Sequence, residues 1–180
     1  MEDNLKQAIS TYNKIAEIYA KYIENNLLQF QLSKFESLLK GKKILDAGCA
    51  AGRDSQYLIE DGFTVVGIDA SEELIKQAKK RCNGEFLVKD LREIKYKNEF
   101  DGIWAMSSLV HSNKDDCKKI LKNFYNALKK EGILFLSAKE GTDPKEVKRI
   151  EFNNEPLTYF HYSKEEFEEI LKETKFEIIS

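Results

Sequence analysis

Apolar side chains return every three or four positions along the first forty residues. Leu5, Ala8, Ile9, Tyr12, Ile15, Ala16, Tyr19 and Ile23 fall on one stripe, which predicts an amphipathic helix. Asn25-Asn26 interrupts the pattern. Leu28, Leu32, Phe35 and Leu39 then form a second stripe, with Gly41 as its C-terminal stop. From Lys43 the rhythm changes to short β-rich runs at 43–47, 63–68, 85–88, 100–106, 133–138 and 175–179. Helical stripes separate most of them, over 53–61, 71–82, 115–130 and 163–173. The last opens with Ser163 and Glu166 at capping-box spacing. Strands joined by helical crossovers pair in parallel, so the pattern predicts an α/β, Rossmann-like, mostly parallel sheet flanked by helices.

The longest break, 139–162, holds both prolines, Pro144 and Pro156. Ile150 and Phe152, a turn at Asn153-Asn154-Glu155-Pro156, then Leu157 and Tyr159 read as a small hairpin. Connections of this length often cover a functional site, and a substrate-side insertion is expected.

Composition narrows the class of protein. The 180 residues suit one domain, 1–180, with 1–41 as a helical cap. A hydrophobic content of 42% and a charged content of 33% exclude a disordered chain. The formal net charge of −2 gives no support to a strongly electrostatic DNA binder, and leaves RNA open as a substrate. No run approaches a membrane span, and the acidic start, Met1-Glu2-Asp3-Asn4, precedes no apolar signal core. Cys49, Cys82 and Cys117 are too scattered for a disulfide framework or a metal site, as in a cytoplasmic protein.

The most informative stretch is Asp46-Ala47-Gly48-Cys49-Ala50-Ala51-Gly52, where an apolar strand meets a turn of small residues that opens a helix. Small residues let a ligand approach the backbone, and helix N-terminal amides receive its negative groups. Asp69 ends the second strand, twenty-one residues beyond Gly48, where a carboxylate accepts bonds from ribose hydroxyls. Asp90 follows the third strand, at the height of an adenine edge. The dinucleotide fingerprint G-x-G-x-x-G would need glycines at positions held by Ala50 and Arg53, which argues against NAD.

These residues resemble the class I S-adenosylmethionine (SAM) dependent methyltransferases. Asp46–Gly52 stands where that family has acidic-x-Gly-x-Gly-x-Gly, and Gly67-Ile68-Asp69-Ala70-Ser71 and Lys89-Asp90-Leu91 continue the likeness. Phe100-Asp101-Gly102-Ile103-Trp104-Ala105-Met106 resembles its fourth strand. Arg53-Asp54-Ser55 and Phe160-His161-Tyr162-Ser163 are similar to small bacterial members of the tellurite-resistance type. Ala50 replaces the family's middle glycine and is strained if that position needs positive φ.

The resemblance implies SAM as cofactor and S-adenosylhomocysteine as product. Asp46, Gly48, Cys49 and Gly52 would meet the amino-acid end, and Asp69 with Ala70 the ribose. Asp90 and Leu91 would meet the adenine, and Ala105 and Met106 the transferring methyl. Tyr12 and Tyr19 share a helix face and would either close over the cofactor or pack with Ile15 against the core. His111 follows the fourth strand and is the candidate general base, while His161 lies among aromatic residues that could line an acceptor pocket. A small-molecule acceptor is expected; a non-catalytic SAM-binding or interaction module is the alternative. The chain stops at Glu177-Ile178-Ile179-Ser180, so the family's seventh strand is expected to be missing. The open sheet edge then predicts either a shortened chain or a homodimer.

Overall fold

A computed structural model describes residues 4–142 and 144–179. The acidic start at 1–3 and the terminal Ser180 lie outside the described residues. Helices α1 (Asn4–Ile23) and α2 (Gln29–Leu38) precede strand β1 (Lys43–Ala47). There follow α3 (Arg53–Glu60), β2 (Thr64–Asp69), α4 (Glu72–Arg81), β3 (Glu85–Val88) and β4 (Phe100–Ala105). Then come α5 (Lys114–Ala127), β5 (Leu128–Leu136), β6 (Lys145–Lys148), β7 (Pro156–Tyr159) and α6 (Lys164–Glu173).

The sheet runs β3-β2-β1-β4-β5 with every neighbouring pair parallel. It is the Rossmann-like arrangement read from the alternating pattern. Each strand sends consecutive residues to opposite faces. Ile44 joins Leu32, Phe35, Val65 and Trp104 on one side, while Leu45 joins Val66, Ile103 and Phe124 on the other. Trp104 is completely buried, stacked on Phe135 at 3.9 Å between ring centres. The capping box of α6 forms as expected, with the Ser163 hydroxyl accepting from the Glu166 amide and the Glu166 carboxylate from the Ser163 amide.

Four expectations need correction. First, α2 is not part of the cover. Leu32 and Phe35, three positions apart, drive it onto the sheet against Trp104, and no residue of Gln29–Leu38 reaches the cavity described below. Second, α5 ends at Ala127, and β5 starts at Leu128, because Leu128 turns extended to pair with Phe100. The excess residues up to Gly132 loop out around Glu131, whose φ is 61°. Third, the hairpin forms between β6 and β7, upstream of the expected first strand. Asn153 and Asn154 both take positive φ, and the Asn154 amide bonds the Arg149 carbonyl, so 150–152 is a helical turn rather than a strand. That turn buries Phe152 and leaves Ile150 84% exposed.

Fourth, 175–179 forms no strand. The Phe176 amide bonds Leu171 O and its ring meets Tyr125, so the run closes the end of α6 instead of reaching the sheet. Among the described residues, β5 is therefore an edge of the sheet with no partner beyond it. No helix among the described residues is long and apolar enough to cross a membrane.

Candidate functional site

A cavity of about 270 Å³ opens where the C-terminal ends of β1, β2 and β4 meet the turns that follow them. This is the crevice where α/β sheets of this order take ligands, because the crossovers from β1 and β4 leave towards opposite faces. One side of it is a floor of backbone turns and carboxylates. The other is a cover whose cavity side is α1, with the β6–β7 hairpin packed behind it and no described residue of 139–162 on the cavity wall.

The floor begins with the turn after β1. Gly48 and Gly52 have φ of 76° and 75°, in the left-handed region that glycine adopts without strain. A Cβ on Gly48 would lie 2.8 Å from Ser108, whose hydroxyl bonds the Ala47 carbonyl. One on Gly52 would lie 3.1 Å from the Ala78 Cα of α4. Both glycines thus let neighbouring segments close on the turn. Ala50 also has positive φ, 48°, so the strain expected of an alanine in this position is present.

The carboxylates hold the turn together. Asp69 accepts from the Ala50 amide at 3.0 Å and the Ser71 amide at 2.8 Å, using one lone pair on each oxygen. Burial pushes its carboxyl up, and those amides pull it part of the way back. Beneath the turn, Asp46 accepts from the Ser55 hydroxyl at 2.5 Å. Burial and then the neighbouring Asp54 push the Asp46 carboxyl up to about 8. Asp54 itself accepts from Trp104 Nε1 at 2.8 Å and Arg53 Nε at 2.6 Å. Arg53 also donates to the Ile23 carbonyl, tying α1 to the turn.

Asp90 differs from the other two. It lines the cavity, but Arg92 grips both its oxygens at 2.7–3.1 Å and the Arg92 amide adds a further bond. Little acceptor capacity remains on it for an amino group such as that expected of adenine, and the neighbouring Leu91 also lines the cavity.

The cover assembles from distant parts of the chain. Thr11 Oγ1 donates to Pro156 O at 2.8 Å, Thr158 Oγ1 to Gln7 Oε1 at 3.1 Å, and Arg149 to the Tyr22 hydroxyl at 2.9 Å. Phe152, Leu157 and Tyr159 pack with Ala8 and Ile15. Tyr12 meets Tyr19 edge-on at 5.0 Å; both pack with Ile15 and both line the cavity. Burial raises both hydroxyls, that of Tyr19 to about 12.

His111 sits between floor and cover. Its Nδ1 lies 2.7 Å from Thr158 O and its Nε2 3.0 Å from the Tyr12 hydroxyl. Burial pulls its imidazole below the usual 6.5, only partly offset by the Thr158 bond, with Lys139 adding to the fall.

Of the residues singled out from sequence, Asp46, Gly48, Cys49, Asp69, Ala70, Asp90, Leu91, Met106, Tyr12, Tyr19 and His111 come together around this cavity. Gly52 and Ala105 do not. Gly52 packs on α4, and Ala105 is wholly buried in the core on the α5 side of the sheet. His161 packs on Gly141, away from the cavity wall. Sequence reasoning missed Ser55, Asp54 and Trp104 as the support of Asp46, and Thr158 as the partner of His111. Only Asp54 and Ser55 had a local signal, in the Arg53-Asp54-Ser55 run.

Turn, strand-end carboxylates and sheet order define a class I SAM-dependent methyltransferase fold. Residues 44–132 match a methyltransferase domain family. The chain is 31% identical over 155 residues to a ubiquinone biosynthesis O-methyltransferase of Pelagibacter ubique (strain HTCC1062), covering 73% of this chain and 64% of that protein. A putative methyltransferase of Bacillus subtilis (strain 168), YqeM, is 31% identical over 131 residues, 68% of this chain and 53% of that one. The chain thus spans between half and two thirds of the length of these curated relatives. Among solved structures, the 1,6-didemethyltoxoflavin-N1-methyltransferase of Burkholderia thailandensis, holding its substrate and S-adenosylhomocysteine, superimposes with a TM-score of 0.70 at 18% identity. The alignment covers 100% of this chain and 82% of that one. The chain thus has the class I SAM-dependent methyltransferase fold, and its residues 44–132 match a methyltransferase domain in sequence.

Proposed function

We propose that the chain binds SAM and transfers its methyl group to a small-molecule acceptor. The observation that carries this reading is the convergence of the Gly48–Ala50 turn, Asp69 and Met106 on one cavity, in a chain whose residues 44–132 match a methyltransferase domain. The residues present fit the cofactor. Asp69 keeps acceptor capacity for ribose hydroxyls beside its two amide bonds. Asp46 faces the cavity next to the turn, where an ammonium group would favour its ionised form. Tyr12 and Tyr19 line the cavity, where aromatic rings would attract a cationic ligand.

SAM supplies an electrophilic methyl on a sulfonium, so the protein's task is mainly alignment. The floor fixes the donor through backbone and carboxylates; the cover excludes water and shapes the space for the acceptor. A small acceptor is supported by the limited volume under the cover and by the small-molecule substrate named for the Burkholderia protein. Likeness to tellurite-resistance-type members rests on Arg53–Ser55 and 160–163 alone. Ala50 motivates the alternative of a binding module without catalysis, yet the turn closes with Ala50 in place and its amide on Asp69.

Calorimetric titration with SAM, S-adenosylhomocysteine and NAD is the direct test. Binding of the first two and not of NAD is expected. Failure to bind SAM would overturn the proposal, and binding without turnover on a broad acceptor panel would favour the module.

A further inference from the structure

The contacts of His111 fix which of its nitrogens carries the proton. Thr158 O can only accept, so Nδ1 is the donor in the 2.7 Å bond between them. In the neutral ring Nε2 is then a bare acceptor, and the group it binds is the Tyr12 hydroxyl at 3.0 Å. Nε2 therefore already holds a phenol, inside the cavity that both residues line.

Resting on the methyltransferase reading above, we propose that the acceptor is a neutral aromatic hydroxyl compound, whose O–H takes the place of Tyr12 at His111 Nε2 and gives its proton to that nitrogen.

Shape and charge point to the same class. Rings surround the position: Tyr12 lies 5.5 Å from the imidazole centre and Tyr159 5.0 Å. Leu5, Ile9 and Ile120 add apolar wall. Of the acidic residues on the cavity wall, Asp54 is paired with Arg53, Asp90 with Arg92, and burial pushes the Asp46 carboxyl up to about 8. Arg53 is held by Asp54 and Ile23 O, and Lys89 lies against Tyr96. A carboxylate or phosphate on the acceptor would thus meet wall cations that are already engaged.

The groups facing His111 are Tyr12 and, behind it, Tyr19 from α1, Tyr159 from β7, and Lys139 beyond β5. Burial keeps the imidazole neutral and Tyr12 protonated, the states the exchange requires.

The step balances. The acceptor's O–H bond breaks with its proton passing to Nε2, while an oxygen lone pair forms the new C–O bond. The C–S bond breaks with its electron pair staying on sulfur, so the positive charge passes from sulfonium to imidazolium. Thr158 O continues to accept from Nδ1–H, and the Nε2 proton leaves to water before Tyr12 returns.

The test uses the full chain with SAM and three probes: catechol, 3,4-dihydroxybenzoate, and 4-nitrocatechol, whose hydroxyl ionises near neutral pH unaided. Catechol should be O-methylated, and its carboxylated analogue at least about tenfold less efficiently. His111→Gln should lower kcat/KM for catechol by about 100-fold and for 4-nitrocatechol by less than about tenfold. Its SAM affinity, measured by calorimetry, should stay within about twofold. Nitrogen-15 NMR of the two histidines should show His111 with its proton on Nδ1, in the parent chain and in Tyr12→Phe alike. Tyr12→Phe, which frees Nε2, should bind catechol more tightly.

SAM binding without methylation of any catechol would overturn the inference. So would an equal loss on both catechols in His111→Gln, or a proton on Nε2. Those results leave the cofactor reading standing, whereas failure to bind SAM would remove both. If His111→Gln does not fold, the NMR tautomer and the Tyr12→Phe binding decide.

Discussion

The two sides of the cavity are held together by different means. The floor is local: Asp46 with Ser55, Ala50 with Asp69, and Asp69 with Ser71 are bonded across at most nineteen positions. The cover is long-range: Thr11 reaches Pro156 and Tyr12 reaches His111, across 145 and 99 positions. Buried carboxylates and backbone amides make the floor, and α1 of the cover joins it where Arg53 donates to Ile23 O and Ser71 to Asn13. The cover has few such fixed points and relies on a patch of aromatic and aliphatic side chains. Cofactor affinity should therefore respond to the floor, and order over the acceptor space to the cover.

The largest effect should come from undoing the cover's packing. Phe152→Ala removes a fully packed ring from between Tyr19, Tyr22 and Leu157, and should cost about 3–5 kcal/mol of local stability. Hydrogen exchange should accelerate over 145–159 and α1 while β1 and β4 stay protected; uniform loss across the sheet would refute the division into floor and cover. Next comes Asp69→Asn, which cannot accept from both the Ala50 and Ser71 amides. Charge-assisted hydrogen bonds contribute roughly 1.5–3 kcal/mol each, so SAM affinity should fall about 100-fold by calorimetry.

A smaller effect separates pH from packing. Asp46 has its folded pKa raised from 3.8 to about 8, so between those values the folded chain binds more protons than the unfolded one. Its stabilising contribution is fully present below 3.8 and is lost as pH rises to about 8. Asp46→Asn keeps an oxygen for Ser55 and should flatten the fall in Tm between pH 5 and pH 9, within which most of that loss occurs. The smallest is Ala50→Gly, which relieves positive φ and should add about 1 kcal/mol. A rise in Tm of about 2–4 °C would record it.

The same division governs what the sequence made legible. The β1 and β3 boundaries, the turn, and the α6 capping box could be read because their signals lie within a few residues of the structure they make. Glycines at φ near 75° and a Ser-x-x-Glu are local facts. The Asp90–Arg92 clamp was equally local and could have been recognised as a pair two residues apart. The start of β5 could not, because Leu128 leaves the helix only to pair with Phe100. Nor could Thr158: nothing within its own segment marks it as the acceptor that orients His111. The apolar run at 175–179 looked like a strand by composition, but tertiary contacts of Phe176 with Leu171 and Tyr125 turned it back onto its own helix.

The Thr11–Pro156 bond also bears on the order in which the molecule assembles. Closing a flexible loop of that length in an unfolded chain costs about 4 kcal/mol in configurational entropy. Once β1, β4 and β5 have paired, the ends to be joined are held near each other and most of that cost has been met. The hairpin is thus expected to dock after the sheet has paired. The turn after β1 can then form before it has a roof, and a ligand bound at that stage would favour completion of the fold by mass action.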